Sequence, residues 1–143
     1  MDPASAIGVA SSAIAFLQFT YQFSTTLFSI VADGTSGPVQ YDDLEEVCHK
    51  MKHMSLDIEL SQEDATAQSP MQMAVLSLSN QCRLLAERIL RRLEKIKPAN
   101  RKLISAIKAT VKYIYSKEEF STLQKNLDTC RGQLHLHLST LHK

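Results

Sequence analysis

Residues 3–32 form a run of thirty without one charged side chain. An uninterrupted apolar stretch of eighteen or more is the ordinary mark of a bilayer-spanning helix. This run carries Ile7, Val9, Ile14, Phe16, Leu17, Phe19, Phe23, Leu27, Phe28, Ile30 and Val31, but also eight Ser/Thr and two Gln. Ile7, Ala10, Ile14, Leu17, Tyr21, Phe28 and Val31 lie along one helical line. Val9, Ala13, Phe16, Phe23, Leu27 and Ile30 form a second. Between them remains a narrow uncharged strip of Ser11, Gln18, Gln22, Thr25 and Ser29. A helix apolar nearly all round belongs at the centre of a bundle or in lipid. The sequence permits a core helix wrapped by the rest of the chain, and a core helix that is released and inserts on activation. A permanent span is disfavoured, because ten polar side chains would meet acyl chains.

The rest of the chain reads as one all-α domain. Its 143 residues are enough to close a core, and 44% hydrophobic with 22% charged residues are globular values. Four Gly, four Pro and few alternating β-branched runs favour long helices over strands. Start and stop signals predict five helices, over residues 3–32, 42–60, 70–97, 101–115 and 117–142, packed as an antiparallel bundle with helix 1 at its centre. Asp2-Pro3 opens helix 1, and Asp42 with Glu45 forms a capping box for helix 2. Ser69-Pro70 opens helix 3, and Ser116 with Glu119 opens helix 5. The expected core lines are Leu44, Val47, Met51, Met54, Ile58 on helix 2 and Met71, Val75, Leu78, Cys82, Leu85, Ile89, Leu93, Ile96 on helix 3. Helix 4 contributes Leu103, Ile104, Ile107, Val111 and Ile114, and helix 5 Phe120, Leu123, Leu127, Cys130, Leu134, Leu138 and Leu141. Gly132, inside helix 5, suggests a close helix crossing.

A net charge of +1 hides two opposed blocks. Residues 33–64 hold nine Asp/Glu against Lys50 and Lys52, whereas residues 83–117 hold eleven Lys/Arg against Glu87 and Glu94. Within the basic block, Arg88, Arg91, Arg92, Lys95, Lys97, Arg101 and Lys102 surround the turn between helices 3 and 4. They read either as a solvated face paired with acidic helix 2 or as a site for anionic lipid headgroups, where each cation gains about 1 kcal/mol. Nucleic acid is not an expected partner: there is no recognition-helix signature, no aromatic RNA-binding strand and no Trp.

No secretory signal is expected, since Asp2 stands where a positive region should precede the apolar run. Three Cys without a CxxC pair (Cys48, Cys82, Cys130) suit buried thiols in a reducing compartment. His49 and His53 share a ridge of helix 2, but no HExxH or second ligand pair accompanies them. No phosphate loop, nucleophile elbow or kinase set occurs, so neither enzyme activity nor a metal or cofactor is expected.

Three segments together resemble a known family. The opening MDPASAIGVASSAIAFLQF, the helix QCRLLAERILRRLEKIK at 81–97 and YSKEEFSTLQKNLDTCRGQLHLHL at 115–138 are similar to the N-terminal helical domains of fungal NOD-like receptors, the STAND proteins with HeLo and HeLo-like domains. Members usually carry Trp where this chain has Tyr115. The resemblance implies a cell-death effector that is cytoplasmic at rest, placed ahead of a nucleotide-binding NACHT or NB-ARC domain. It implies self-association on activation and membrane permeabilisation through helix 1. Ile7, Ile14, Phe16, Leu17, Phe19, Phe23, Leu27 and Phe28 would insert, and the seven basic residues would meet anionic lipid. The competing expectation is a non-enzymatic adaptor whose helix 1 never leaves the core.

Overall fold

The computed structural model describes residues 3–32, 41–62 and 69–141, with side chains described for 11–32, 41–62 and 69–140. Five α-helices follow in order: α1 (Pro3–Val31), α2 (Tyr41–Ser61), α3 (Pro70–Glu94), α4 (Ile104–Ile114) and α5 (Lys117–Leu141). A 3-10 turn at Pro98–Asn100 separates α3 from α4, and no strand occurs among the described residues. The chain is an all-α bundle, as the periodicity predicts.

Local chemistry sets most of the boundaries. Ser69 caps α3, its hydroxyl accepting from the Gln72 N–H at 3.2 Å while the Gln72 side chain accepts from the Ser69 N–H at 2.8 Å. Ser116 accepts from the Glu119 N–H at 3.2 Å, but the Glu119 carboxylate turns to Arg88 at 3.1 Å rather than completing a box. The predicted third and fourth helices are too long. Pro98 lacks an N–H and disfavours helical geometry at the residue before it, so α3 ends at Glu94 and the chain turns through the 3-10 segment. Asp42 sits in the first turn of α2 rather than capping it, because the helix already includes Tyr41. The expected Asp2 cap lies outside the described residues, as do Gly34, Gly37 and Pro38, where the sequence would end helix 1.

Paired contacts give the directions. Tyr41 donates to the Leu93 carbonyl at 3.1 Å and Ser79 to the Ser55 carbonyl at 3.0 Å, so α2 and α3 run antiparallel. Ser55 and Ser79 are fully buried, and their small side chains allow these two helices to approach closely. Arg88 with Glu119, Gln81 with Asn126, and Ala74 with Cys130 set α5 antiparallel to α3. Ser24 with Gln124 and Phe28 with Phe120 do the same for α1 and α5.

The α3 line from Met71 to Leu93 is buried without a break, and α3 packs on α2, α4 and α5. Helix α1 packs on α2, α4 and α5 from one side only. The wrapping expected for it is therefore incomplete: the face of Phe16, Phe23 and Leu27 is buried, and that of Gln18, Tyr21 and Thr25 is exposed. Leu103 and Ile104, expected in the core, are 51% and 55% exposed, since they fall at the start of α4 where the turn leads away from the bundle. Gly132 has nothing within 4 Å of the place a Cβ would take, so the close crossing suggested for it does not occur.

Candidate functional site

The two apolar lines of α1 have different fates. The second line is in the core: Ala13, Phe16, Phe23 and Leu27 are buried, with Ile30 packed against them. Leu17 and Phe19 join them. Complete burial of Phe16, Phe23 and Leu27 stabilises by about 1.5–3 kcal/mol each. On the first line, Ile14, Tyr21 (50%) and Phe28 (49%) face solvent beside exposed Ser11, Gln18, Gln22 and Thr25. Of the eight residues expected to insert, five are thus buried and two, Ile14 and Phe28, are already outside. The Ile7 side chain lies outside the described residues. The stretch Ser11–Val31 is long and apolar enough to cross a bilayer, yet only 39% of its most apolar window is buried. Composition of this kind is shared by membrane spans and by core helices, so it distinguishes neither.

The buried face of α1 holds a polar seam that the sequence reading passed over. Ser24 is fully buried; its hydroxyl lies 2.9 Å from the Tyr115 hydroxyl and accepts from Gln124 Nε2 at 2.9 Å. Thr20, also fully buried, donates back to the Phe16 carbonyl at 2.8 Å. The two Ser24 bonds tie α1 to the end of α4 and to α5 through groups that cost free energy if left unpaired, while the Thr20 bond stays within α1. Burial pushes the Tyr115 phenol above its ordinary pKa, against the smaller opposing effect of the Ser24 hydrogen bond. A signal existed: Phe16, Thr20, Ser24 and Leu27 repeat at helical spacing along the line now buried.

The basic end is more mixed in charge than its sequence suggests. Arg88 pairs with Glu119. Arg92 stacks 3.9 Å from the Tyr113 ring, and Arg101 lies 4.7 Å over Tyr41 while donating to the Ile96 carbonyl. Arg91, Lys95, Lys97 and Lys102 are exposed. The contact of Tyr41 with Leu93 puts the start of α2, with exposed Asp42 and Asp43, at this same end. The surface left for an anion narrows to Arg91, Lys95, Lys97 and Lys102, the last next to the exposed Leu103 and Ile104. Farther along, Arg83 joins Glu59 at 3.2 Å and Glu87 at 3.4 Å, so part of the block does pair with acidic α2.

The cysteines are buried free thiols. Desolvation, with a smaller contribution from Glu45, pushes Cys48 up to about 12. Desolvation also raises Cys82 to about 12, outweighing a hydrogen bond with Thr20, and Cys130 to about 11. Such thiols stay protonated at neutral pH and are poor nucleophiles. Among the described residues no cluster of His, Cys, Asp and Glu has the geometry of a metal site. His49 and His53 are exposed on α2. No known protein family, curated protein or solved structure matches this chain.

Proposed function

We propose that this chain is a self-associating helical effector module that acts on anionic membranes through α1 once copies are brought together. The observation that carries this reading is the one-sided burial of α1: a long uncharged helix covered on one face and held to α4 and α5 partly by a hydrogen-bonded seam. Water competes for polar contacts of this kind when a helix shifts, whereas it does not restore lost apolar contacts. Release would expose Phe16, Leu17, Phe19, Phe23 and Leu27, and transfer of those side chains into acyl chains offsets that cost. Assembly raises the local concentration of released helices, whose Ser, Thr and Gln side chains can then face one another rather than lipid. The resemblance to the N-terminal domains of fungal NOD-like receptors supports the same reading and implies a nucleotide-binding domain as the platform that drives assembly. Arg91, Lys95, Lys97 and Lys102, with Leu103 and Ile104, are the residues proposed to make first contact with the headgroups.

The experiment is dye release from vesicles. The chain, held as an oligomer by a fused assembly tag, is added to vesicles containing anionic lipid and to neutral ones. Release from the anionic vesicles only, suppressed by Gln18→Glu without loss of helicity, is the expected result. Intact anionic vesicles would remove the membrane reading. The second reading, an adaptor, is favoured by the exposed uncharged face of Ile14, Gln18, Tyr21 and Phe28, which offers a partner helix a surface without charge to desolvate. Under it, the Gln18→Glu variant loses a protein partner and no vesicle leaks in either form.

A further inference from the structure

The corner where α1 ends against α4 and α5 forms a groove of about 360 Å³. Its floor is Phe28, Val31, Tyr115 and Phe120. The Phe28 and Phe120 rings lie 5.2 Å apart, and Tyr115 meets Phe120 edge-on at 6.0 Å, so rings from α1, from the residue that ends α4 and from α5 form one wall. Both charged residues lining the groove are exposed lysines, Lys112 from α4 and Lys117 from the first turn of α5. The groove also opens at the amino-terminal end of α5, where the helix dipole favours negative charge. That turn also carries two acids: Glu119 is engaged by Arg88, and exposed Glu118 does not line the groove.

We infer that this groove binds a free long-chain carboxylate, its tail over the aromatic floor and its head between Lys112 and Lys117. The space is at the small end of ligand clefts, enough for one acyl chain and too small for the two of a bilayer phospholipid. An apolar floor alone would accept any hydrophobe; the paired lysines and the helix end select an anion. Because the rings of Phe28, Tyr115 and Phe120 join α1 to α4 and α5, an occupant seated there bridges the same elements that the Ser24 seam ties. The inference does not depend on the bilayer reading.

The test titrates the 143-residue chain with dodecanoate below its micelle-forming range, followed by calorimetry and by amide chemical shifts. Dodecanol serves as the tail without the charge, and acetate as the head without the tail. The expected result is one dodecanoate per chain, bound at least about tenfold more tightly than dodecanol or acetate. The largest shifts should fall within residues 28–32 and 112–120. The double variant Lys112→Glu/Lys117→Glu weakens binding at least about tenfold, with Lys112→Gln/Lys117→Gln as a milder pair should the first lose helicity. Phe28→Ala weakens it while leaving the far-ultraviolet spectrum unchanged. Equal binding of dodecanol, many ligands per chain, shifts confined to another surface, or lysine variants that bind as well as the parent would each overturn the inference. So would lysine variants that lose only capture by anionic vesicles, which would assign these lysines to a bilayer headgroup.

Discussion

Helices α1 and α3 are both long and rich in apolar side chains, yet the bundle treats them differently. Helix α3 has one apolar stripe and an outer face of Arg, Glu and Gln, so charge leaves it a single orientation. All of its stripe from Met71 to Leu93 is buried. Helix α1 has two apolar lines and no charge to choose between them. The choice is made by what it meets: Ser24 finds Tyr115 and Gln124, Thr20 and the Phe16–Phe23 line follow, and Ile14, Tyr21 and Phe28 are left outside. An apolar helix is therefore not the same as a buried one. A charged back face fixes a helix in water, whereas an uncharged one leaves it a second environment.

Truncations at core positions of the two helices should have the largest effects. Leu78→Ala in α3 should cost about 2–5 kcal/mol and Phe23→Ala in α1 about 3–5 kcal/mol, each read from chemical denaturation. If Phe23→Ala costs under about 1 kcal/mol, α1 is not part of the cooperative unit and the comparison fails. Alkaline pH comes next. The folded state holds protons on Cys48, Cys82 and Cys130 up to about 12, 12 and 11, whereas free thiols ionise near 9.0. Between those values the unfolded chain binds fewer protons, so stability is fully present below about pH 9 and falls as pH rises toward 11. The raised Tyr41 and Tyr115 act in the same direction. A melting temperature that stays level from pH 8 to pH 11 would contradict the burial of these thiols.

Smaller effects sharpen the contrast between the two faces of α1. Tyr115→Phe removes one bond of the seam and should cost about 1 kcal/mol, because Ser24 keeps Gln124. Gly132→Ala should stabilise by about 0.5–1 kcal/mol, since the site is open and helical. Gln18→Glu on the outer face should change stability by less than about 0.5 kcal/mol.

Much of this bundle is legible in residue spacing. The three-four lines of α2, α3 and α5 became core, apart from Leu141, whose side chain lies outside the described residues, and Ser69-Pro70 and Ser116 fixed two helix starts. These signals are local, carried by the turn in which they occur. What depended on distant partners was not legible. Leu103 and Ile104 have the right spacing for a core, but the Pro98 turn carries them outward. The basic block reads as one patch along the chain. Folding divides it among Glu119, Glu59, Tyr113 and Tyr41, and brings the acidic start of α2 to the same end. The Thr20–Ser24 seam has a helical signature, but its meaning required Tyr115 and Gln124, about ninety and a hundred residues away. Gly132 shows the reverse: a residue that suggested a crossing marks open surface.

The difference between α1 and α3 can be measured directly with one reporter placed on each. The three native thiols are buried, so a cysteine introduced by Gln18→Cys on α1 or Met73→Cys on α3 is the reactive one at neutral pH. Each is labelled with an environment-sensitive fluorophore, and the oligomerised chain is mixed with anionic vesicles. The account predicts a blue shift and protection from aqueous quenchers at position 18, with position 73 remaining in water. Vesicle-bound protein in which both positions stay aqueous would contradict it.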